Sequence, residues 1–252
     1  MSNCKYRGIF FFLLFTFFCC HALIGVFGVL PAFAGSGEEV VESGEAHGTT
    51  VSDPLEPLNR SVFQANDRLY FWVLKPAATV YSASVPKGFR IAVRNAVKNF
   101  ECPARFVNCT LQRKDNEANI EFMRFLINST VGLGGMFDVA QSRFGLSSPH
   151  EEDFGQTLAY WGAGSGPFLM LPVLGPSDTR DIFGYAADHT LMDPMFWIPT
   201  AWWVDPTVKA GKILNSTSLK LGKYEEFKQS ALDPYVSMRE AYMQHRANEI
   251  KP

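Results

Sequence analysis

Beyond residue 52, the groups whose types bear on chemistry are His150, His189 and His245, the cysteines Cys102 and Cys109, and the glycine-rich run "GAGSG" at Gly162 to Gly166. Histidine metal ligands recur at short fixed spacings, and these three share none. "HEED" at His150 to Asp153 reads instead as a solvated helix start. "GAGSG" has the look of a phosphate loop, but a dinucleotide fingerprint requires Gly where Pro167 stands. No strand pattern precedes the run, and no Lys-Ser or Lys-Thr pair follows it. Ser165 is not a nucleophile elbow either, because Gly164 adjoins it directly where the motif needs an intervening residue. No catalytic residue, cofactor or metal is assigned, and the chain does not read as an enzyme.

The elements that carry these residues begin with an export segment. Lys5 and Arg7 precede an apolar run from Ile9 to Leu30, then Pro31 and the small-x-small pattern Ala32-Phe33-Ala34. This is the layout of a secretory signal peptide cleaved before Gly35. The run is also long enough to stay as a membrane anchor, and either outcome exports the rest. Cys19 follows Phe18 with Thr16 three before it, and Cys20 follows Cys19 with Phe17 three before it, so both fit a lipidation signal poorly. In an oxidising compartment Cys102 and Cys109 are free to pair. On one ideal helix they would stand about 10 Å apart against a bridging limit of roughly 7 Å, so pairing needs a break at Pro103, and two separate buried thiols is the other reading.

From Gly35 to Ser52 the chain carries Glu38, Glu39, Glu42 and Glu45 among Gly, Ser, Thr and Val, a composition that buries too little to order itself. At "DPLEPLNRSVFQANDRLY" Asp53 is an N-cap candidate, Pro54 fits the first helical position and Glu56 completes a capping box. Asp-Pro recurs at Asp193, Asp205 and Asp233, each a further helix start, and the last opens "DPYVSMREAYMQHRANEI", a surface for a partner or a helix packed on its own domain. "KGFRIAVRNAVKNF" sets Ile91, Ala92, Val93, Ala96, Val97 and Phe100 opposite Lys87, Arg94 and Lys98. Ile120, Phe122, Met123, Phe125, Leu126 and Ile127 cover most of a helix circumference, which means deep burial or contact with lipid. No stretch alternates with period two between hairpin turns, so the chain reads as all-α: a signal peptide at 1–34, a flexible acidic leader at 35–52 and one helical domain at 53–252.

Within that domain Phe154 to Ser177, "FGQTLAYWGAGSGPFLMLPVLGPS", holds no charge but is broken by five glycines and three prolines. A Gly costs about 1 kcal/mol and an internal Pro about 3 in a helix, so the segment is apolar yet not one helix. The expectation is that "WGAGSGPF" bends sharply, with Gly164 and Gly166 in conformations or close approaches that a side chain would obstruct.

"DPLEPLNRSVFQAN" (Asp53 to Asn66), "FMRFLINSTVGLGGMFDVA" (Phe122 to Ala140), "EDFGQTLAYWGAGSGPFLMLPVLGPSDTRD" (Glu152 to Asp181) and "DPYVSMREAY" (Asp233 to Tyr242) resemble, in order, the motifs of the MlaA/VacJ family. The resemblance covers nearly the whole domain. It implies a single-domain helical ring lying in the inner leaflet of the Gram-negative outer membrane, with an amphipathic central channel. It implies removal of mislocalised phospholipid from the outer leaflet, hand-off to a periplasmic lipid-carrier protein, association with a trimeric porin and no nucleic-acid partner. The lipoprotein Cys usual before the Asp-Pro-Leu-Glu motif has no convincing counterpart here, which puts covalent anchoring in doubt.

Under this resemblance the channel wall draws on Asn66, Tyr160, Trp161, Gly164, Gly166, Phe168, Leu169, Leu171 and Arg180. Gly and Pro let such a wall turn at membrane depth where its backbone faces protein or a wet cavity. Tyr160, Trp161, Trp197, Trp202 and Trp203 suit the headgroup level, or else fill a core. Asn59, Arg60, Asp178, Arg180 and Asp181 either contact a phosphate or pair with each other, and the cost of an unmatched buried charge favours a capping network around Asp178 and Arg180.

Overall fold

A computed structural model describes residues 53–193, 196, 201 and 203–250. The signal segment, the acidic leader, Cys19, Cys20, Trp197 and Trp202 lie outside the described residues.

Helix α1 (Glu56–Leu69) passes through a π-helical segment (Tyr70–Leu74) into α2 (Lys75–Ser84). There follow α3 (Lys87–Phe100), α4 (Cys102–Leu111), α5 (Asp115–Thr130), α6 (Val139–Phe144) and α7 (Phe154–Tyr160). A hairpin of β1 (Phe168–Leu171) and β2 (Gly175–Asp178) leads into α8 (Thr179–Ala187), which runs on into a second π-helical segment (Asp188–Met192). Last come α9 (Val204–Leu219), α10 (Lys223–Ser230) and α11 (Pro234–Glu249).

The architecture is helical as expected, with the hairpin as the difference. Phe168 pairs with Asp178 and Leu171 with Gly175 in antiparallel register. "FLML" hides a period of two because both faces are apolar: Phe168 and Met170 are buried while Leu169 and Leu171 are half-buried. Pro176 is tolerated because β2 is an edge strand. The charge-free stretch thus resolves into one short helix, a loop and a hairpin.

Helix starts follow the sequence in part. Asp233 caps α11, accepting from the amides of Tyr235 (3.0 Å) and Val236 (3.2 Å). Asp205 instead lies inside the first turn of α9. Asp53 does not cap α1, which begins at Glu56 after Leu55. Its carboxylate accepts from Asn59 Nδ2 at 2.9 Å and from the Tyr235 hydroxyl, and Glu56 pairs with Arg60 at 2.7 Å rather than closing a capping box. Asp53 keeps a local bond from the Leu55 amide at 3.2 Å beside the long-range one from Tyr235.

The buried apolar cluster is small. Phe168, Met170 and Tyr235 form its centre, with Val62, Phe63, Met238 and Tyr242 around it, so α1, β1 and α11 meet there. The Phe168 and Tyr235 rings meet edge to face at 6.3 Å. Elsewhere the buried apolar side chains are small, such as Ala78, Cys109 and Ala140, and most buried side chains are polar. Arg90 of α3 donates to the Ser218 carbonyl of α9 at 2.7 Å, and Asn215 Nδ2 returns a bond to the Arg90 carbonyl at 3.0 Å. On α5 the buried residues are Ala118, Glu121 and Asn128, while Phe122, Met123 and Leu126 face outward.

Candidate functional site

The hairpin is held from α1 by two carboxamides. A carboxamide offers one acceptor and two donors, like a peptide group, and so can stand in for a neighbouring strand. Asn59 accepts from the Met170 amide at 2.9 Å and donates to the Phe168 carbonyl at 3.1 Å. Asn66 accepts from the Val173 amide at 2.8 Å and donates to the Leu171 carbonyl at 2.9 Å. The hairpin tip is a γ-turn in which the Leu174 amide donates to the Pro172 carbonyl at 2.8 Å. Val173 sits at its centre with φ 67°, a strained conformation for a β-branched residue, and Asn66 fixes it there.

Helices α7 and α8 touch at two glycines. A Cβ on Gly184 would lie 2.4 Å from the Gly155 nitrogen, and one on Gly155 would lie 2.5 Å from Asp181 Oδ1. This closeness lets α11 clamp both helix starts. Asp153 caps α7 through the Gln156 amide (2.8 Å), and Asp178 caps α8 through the Asp181 amide (2.7 Å). Arg246 of α11 reaches Asp153 Oδ2 at 2.7 Å and Asp181 Oδ1 at 2.6 Å, and Tyr242 donates to Asp181 Oδ2 at 2.5 Å. Arg180 pairs with Asp178 and Asp181, each at 3.2 Å. Burial acts to raise the Asp181 carboxyl, but its bonds to Arg246 and Tyr242 prevail and hold it below the usual range. Burial pushes Asp178 up. It also pushes Asp188 up to about 6, against hydrogen bonds from the Phe154 amide and Asn108 Nδ2, both at 2.9 Å.

Beside this clamp lies an open, mostly apolar cavity of about 440 Å³, whose wall includes Phe154, Leu158, Gly164, Gly166, Arg180 and Phe183. Of the residues the sequence put forward, Gly164, Gly166 and Arg180 meet here. Gly166 has φ 70° and would crowd Thr179 with a Cβ, as expected. Gly164 departs from expectation: its φ is not positive and a Cβ there would meet nothing within 4 Å. Tyr160 and Trp161 are exposed and joined edge to face at 6.1 Å, with Trp161 Nε1 donating to the Leu111 carbonyl at 3.3 Å. Phe168 belongs to the core, Leu169 and Leu171 to the other face of β1, and Asn66 to the hairpin tip. Arg60 pairs with Glu56 and Asp233 and lies 4.6 Å over the Tyr235 ring.

Sequence reasoning missed Phe154, Leu158, Thr179 and Phe183 in the cavity wall; the Asp178 cap preceding Thr179 is the signal that locates it. Cys102 and Cys109 are free and buried, and burial pushes each thiol up to about 12. His189, Asp193 and Asp205 bring one ligand atom each within 4.8 Å of one another. The Lys209 ammonium already stands 2.9 Å from His189 Nδ1 and 3.3 Å from Asp205.

The surface around these features carries many large apolar side chains. Among the described residues sixteen buried side chains are polar or charged and nine are apolar, while 28 large apolar side chains are exposed. Trp72 is 77% exposed, Val80 67%, Leu133 66% and Trp161 65%. No helix among the described residues is long and apolar enough to cross a membrane.

Residues 51–249 match the family model described as MlaA lipoprotein. The chain is 32% identical over 214 residues to the intermembrane phospholipid transport system lipoprotein MlaA of Escherichia coli (strain K12), spanning 80% of this chain and 81% of that relative. It is 32% identical over 200 residues to the protein of the same name in Haemophilus influenzae (strain ATCC 51907 / DSM 11121 / KW20 / Rd), spanning 77% of each. A solved structure described as the structural basis for maintenance of bacterial outer membrane lipid asymmetry superposes with a TM-score of 0.71 at 32% identity, covering 79% of this chain and 100% of the other.

Proposed function

Since the chain belongs to the MlaA lipoprotein family, we propose that it moves phospholipid out of the outer leaflet of the outer membrane. Phospholipid passes through an amphipathic channel to a periplasmic lipid carrier, beside a trimeric porin and without covalent chemistry. The observation that carries this reading is the number of large apolar side chains left on the surface over a largely polar interior. A water-soluble domain exposes large apolar patches only at interaction sites, whereas here 28 large apolar side chains are exposed among the described residues and polar side chains outnumber apolar ones in the buried set. With roughly 25 cal/mol for each Å² of apolar area removed from water, such a surface is stable against hydrocarbon. The helices among the described residues are too short or too polar to span, which favours embedding in one leaflet, with polar interior groups lining or bracing the lipid path. On this reading the mature chain begins at Gly35 without acyl chains and is held by the apolar rim.

Lipid extraction and mass spectrometry of detergent-purified protein test the reading, together with an assay of surface-exposed phospholipid in a deletion strain. Bound phospholipid and a rise in surface phospholipid on deletion are expected. Protein free of phospholipid, with an unaltered surface in the deletion strain, rejects it.

A further inference from the structure

Three polar groups on the wall of the cavity beside α7 and α8 are left over once the internal network is complete. Arg180 engages Asp178 and Asp181 through Nε and Nη2, and its Nη1 makes no hydrogen bond to any described residue although the side chain is only 6% exposed. Ser165 and Thr179 lie on the same wall, half-buried, and their hydroxyls bond to no described residue, which leaves them open to the cavity. Of the two carboxylates beside Arg180, Asp178 is its own and Asp181 is shared with Arg246 at 2.6 Å, while Arg246 also holds Asp153 and Glu249; what Arg180 offers the cavity is therefore a free N–H donor and not an unmatched charge. Thr179 opens α8, whose next two amides are already taken, Arg180 by the Ser165 carbonyl at 3.2 Å and Asp181 by Asp178 at 2.7 Å, so the donors facing the cavity are side-chain groups.

The rest of the wall is hydrocarbon, chiefly Phe154, Leu158 and Phe183. At about 440 Å³ the space falls in the range of small-ligand pockets, roughly 300 to 1,000 Å³. Hydrogen-bond donors grouped on one side of an apolar pocket fit an amphiphile whose head is an acceptor, and a planar guanidinium favours phosphate over a neutral head.

Resting on the transport reading, we propose that this cavity seats one phospholipid, its phosphate on Arg180, Ser165 and Thr179 and the start of an acyl chain against Phe154, Leu158 and Phe183. The head is read by donors that the fold leaves unpaired. The chain is accepted by a wall that the fold leaves open.

Titration of the detergent-purified full chain with a fluorescent lysophosphatidylethanolamine tests this. Gly164→Phe adds a ring on the cavity wall at a position where a Cβ meets nothing within 4 Å, and its melting temperature checks that the fold is unstrained. Ser165→Ala combined with Thr179→Val removes both hydroxyls and leaves the Arg180 ion pairs intact. Each variant is expected to weaken probe binding about tenfold, the scale of one or two lost hydrogen bonds or of a blocked pocket. Wild-type affinity in both variants overturns the proposal. Displacement of the probe by inorganic phosphate alone as fully as by unlabelled lysophospholipid overturns the acyl seat, and full displacement by decanol alone overturns the phosphate seat. Co-purified phospholipid and a deletion phenotype without probe binding would remove this cavity and keep the transport reading; loss of all three would remove both.

Discussion

Asn59 and Asn66 stand seven residues apart on α1 and grip the same hairpin, Asn59 through the Phe168 carbonyl and the Met170 amide, Asn66 through the Leu171 carbonyl and the Val173 amide. Seven residues is close to two helical turns, about 10 Å, and three residues of strand cover about the same distance. The helix and the hairpin therefore match in repeat. Asn59 is 1% exposed, so its loss strands two buried backbone groups, each costing about 1 to 3 kcal/mol. Asn59→Ala is expected to destabilise by about 2 to 4 kcal/mol. Asn59→Asp should do no better, because its carboxylate would face the Phe168 carbonyl and Asp53. Denaturant unfolding in detergent measures both, and a loss under about 0.5 kcal/mol in either would show that the amides are incidental.

The glycines divide into two kinds. At Gly184 a Cβ would lie 2.4 Å from backbone of Gly155, with no flexible side chain to yield. Gly184→Ala should therefore lower stability by about 1 to 3 kcal/mol or more through overpacking. Gly164→Val should melt like the wild type and yet raise surface-exposed phospholipid, because Gly164 lies on the cavity wall where a Cβ meets nothing within 4 Å. Equal melting temperatures for Gly184→Ala and the wild type, or normal lipid asymmetry for Gly164→Val at normal protein level, would contradict this division.

Local chemistry was legible in the sequence where it acts locally. Asp233 before Pro234 opens α11, and the glycines and prolines of Phe154 to Ser177 forbid one long helix. The pairing of Asp178 with Arg180 follows from the cost of an unmatched buried charge. What was not legible depends on contacts between distant residues. Asn59 meets Phe168 across 109 positions, Asp53 meets Tyr235 across 182, and Gly155 meets Gly184 only because two helices cross there. The apolar positions of α5 fitted deep burial or lipid contact equally well; Glu121 buried and Phe122 outward is a choice that only the tertiary arrangement makes.

Helix α11 illustrates the same point. Its Tyr235, Arg239 and Arg246 are buried, and Arg246 ties Asp153 and Asp181 together. The helix braces its own domain, which leaves its outer face, including His245, as the part open to a partner. Truncation after Ala231 is thus expected to abolish folding rather than to trim a binding surface. Arg246→Met should cost about 3 kcal/mol or more, because Asp153 and Asp181 lose their shared cation in a partly buried setting. Limited proteolysis of the purified variants would report this, and a truncated chain as resistant as the full one would refute it.

Asp188 has its carboxyl pushed up to about 6 by burial, above the ordinary value of 3.8. The native state then holds a proton between about pH 4 and 6 that the unfolded chain releases, so this residue's contribution to stability falls as pH rises through that window. Asp138, Glu151 and Asp181 are held below their usual values, against burial, by bonds to Arg124, Lys98 and Arg246 respectively, and their contributions are instead lost as pH falls below about 4. The two effects occupy different ranges, which isolates Asp188. Asp188→Asn cannot titrate, and its amide must set a donor against either Asn108 Nδ2 or the Phe154 amide. The wild type should accordingly exceed Asp188→Asn in melting temperature by more at about pH 4.5 than at about pH 7.5. Parallel melting curves for the two proteins across that range would mean that Asp188 does not titrate there.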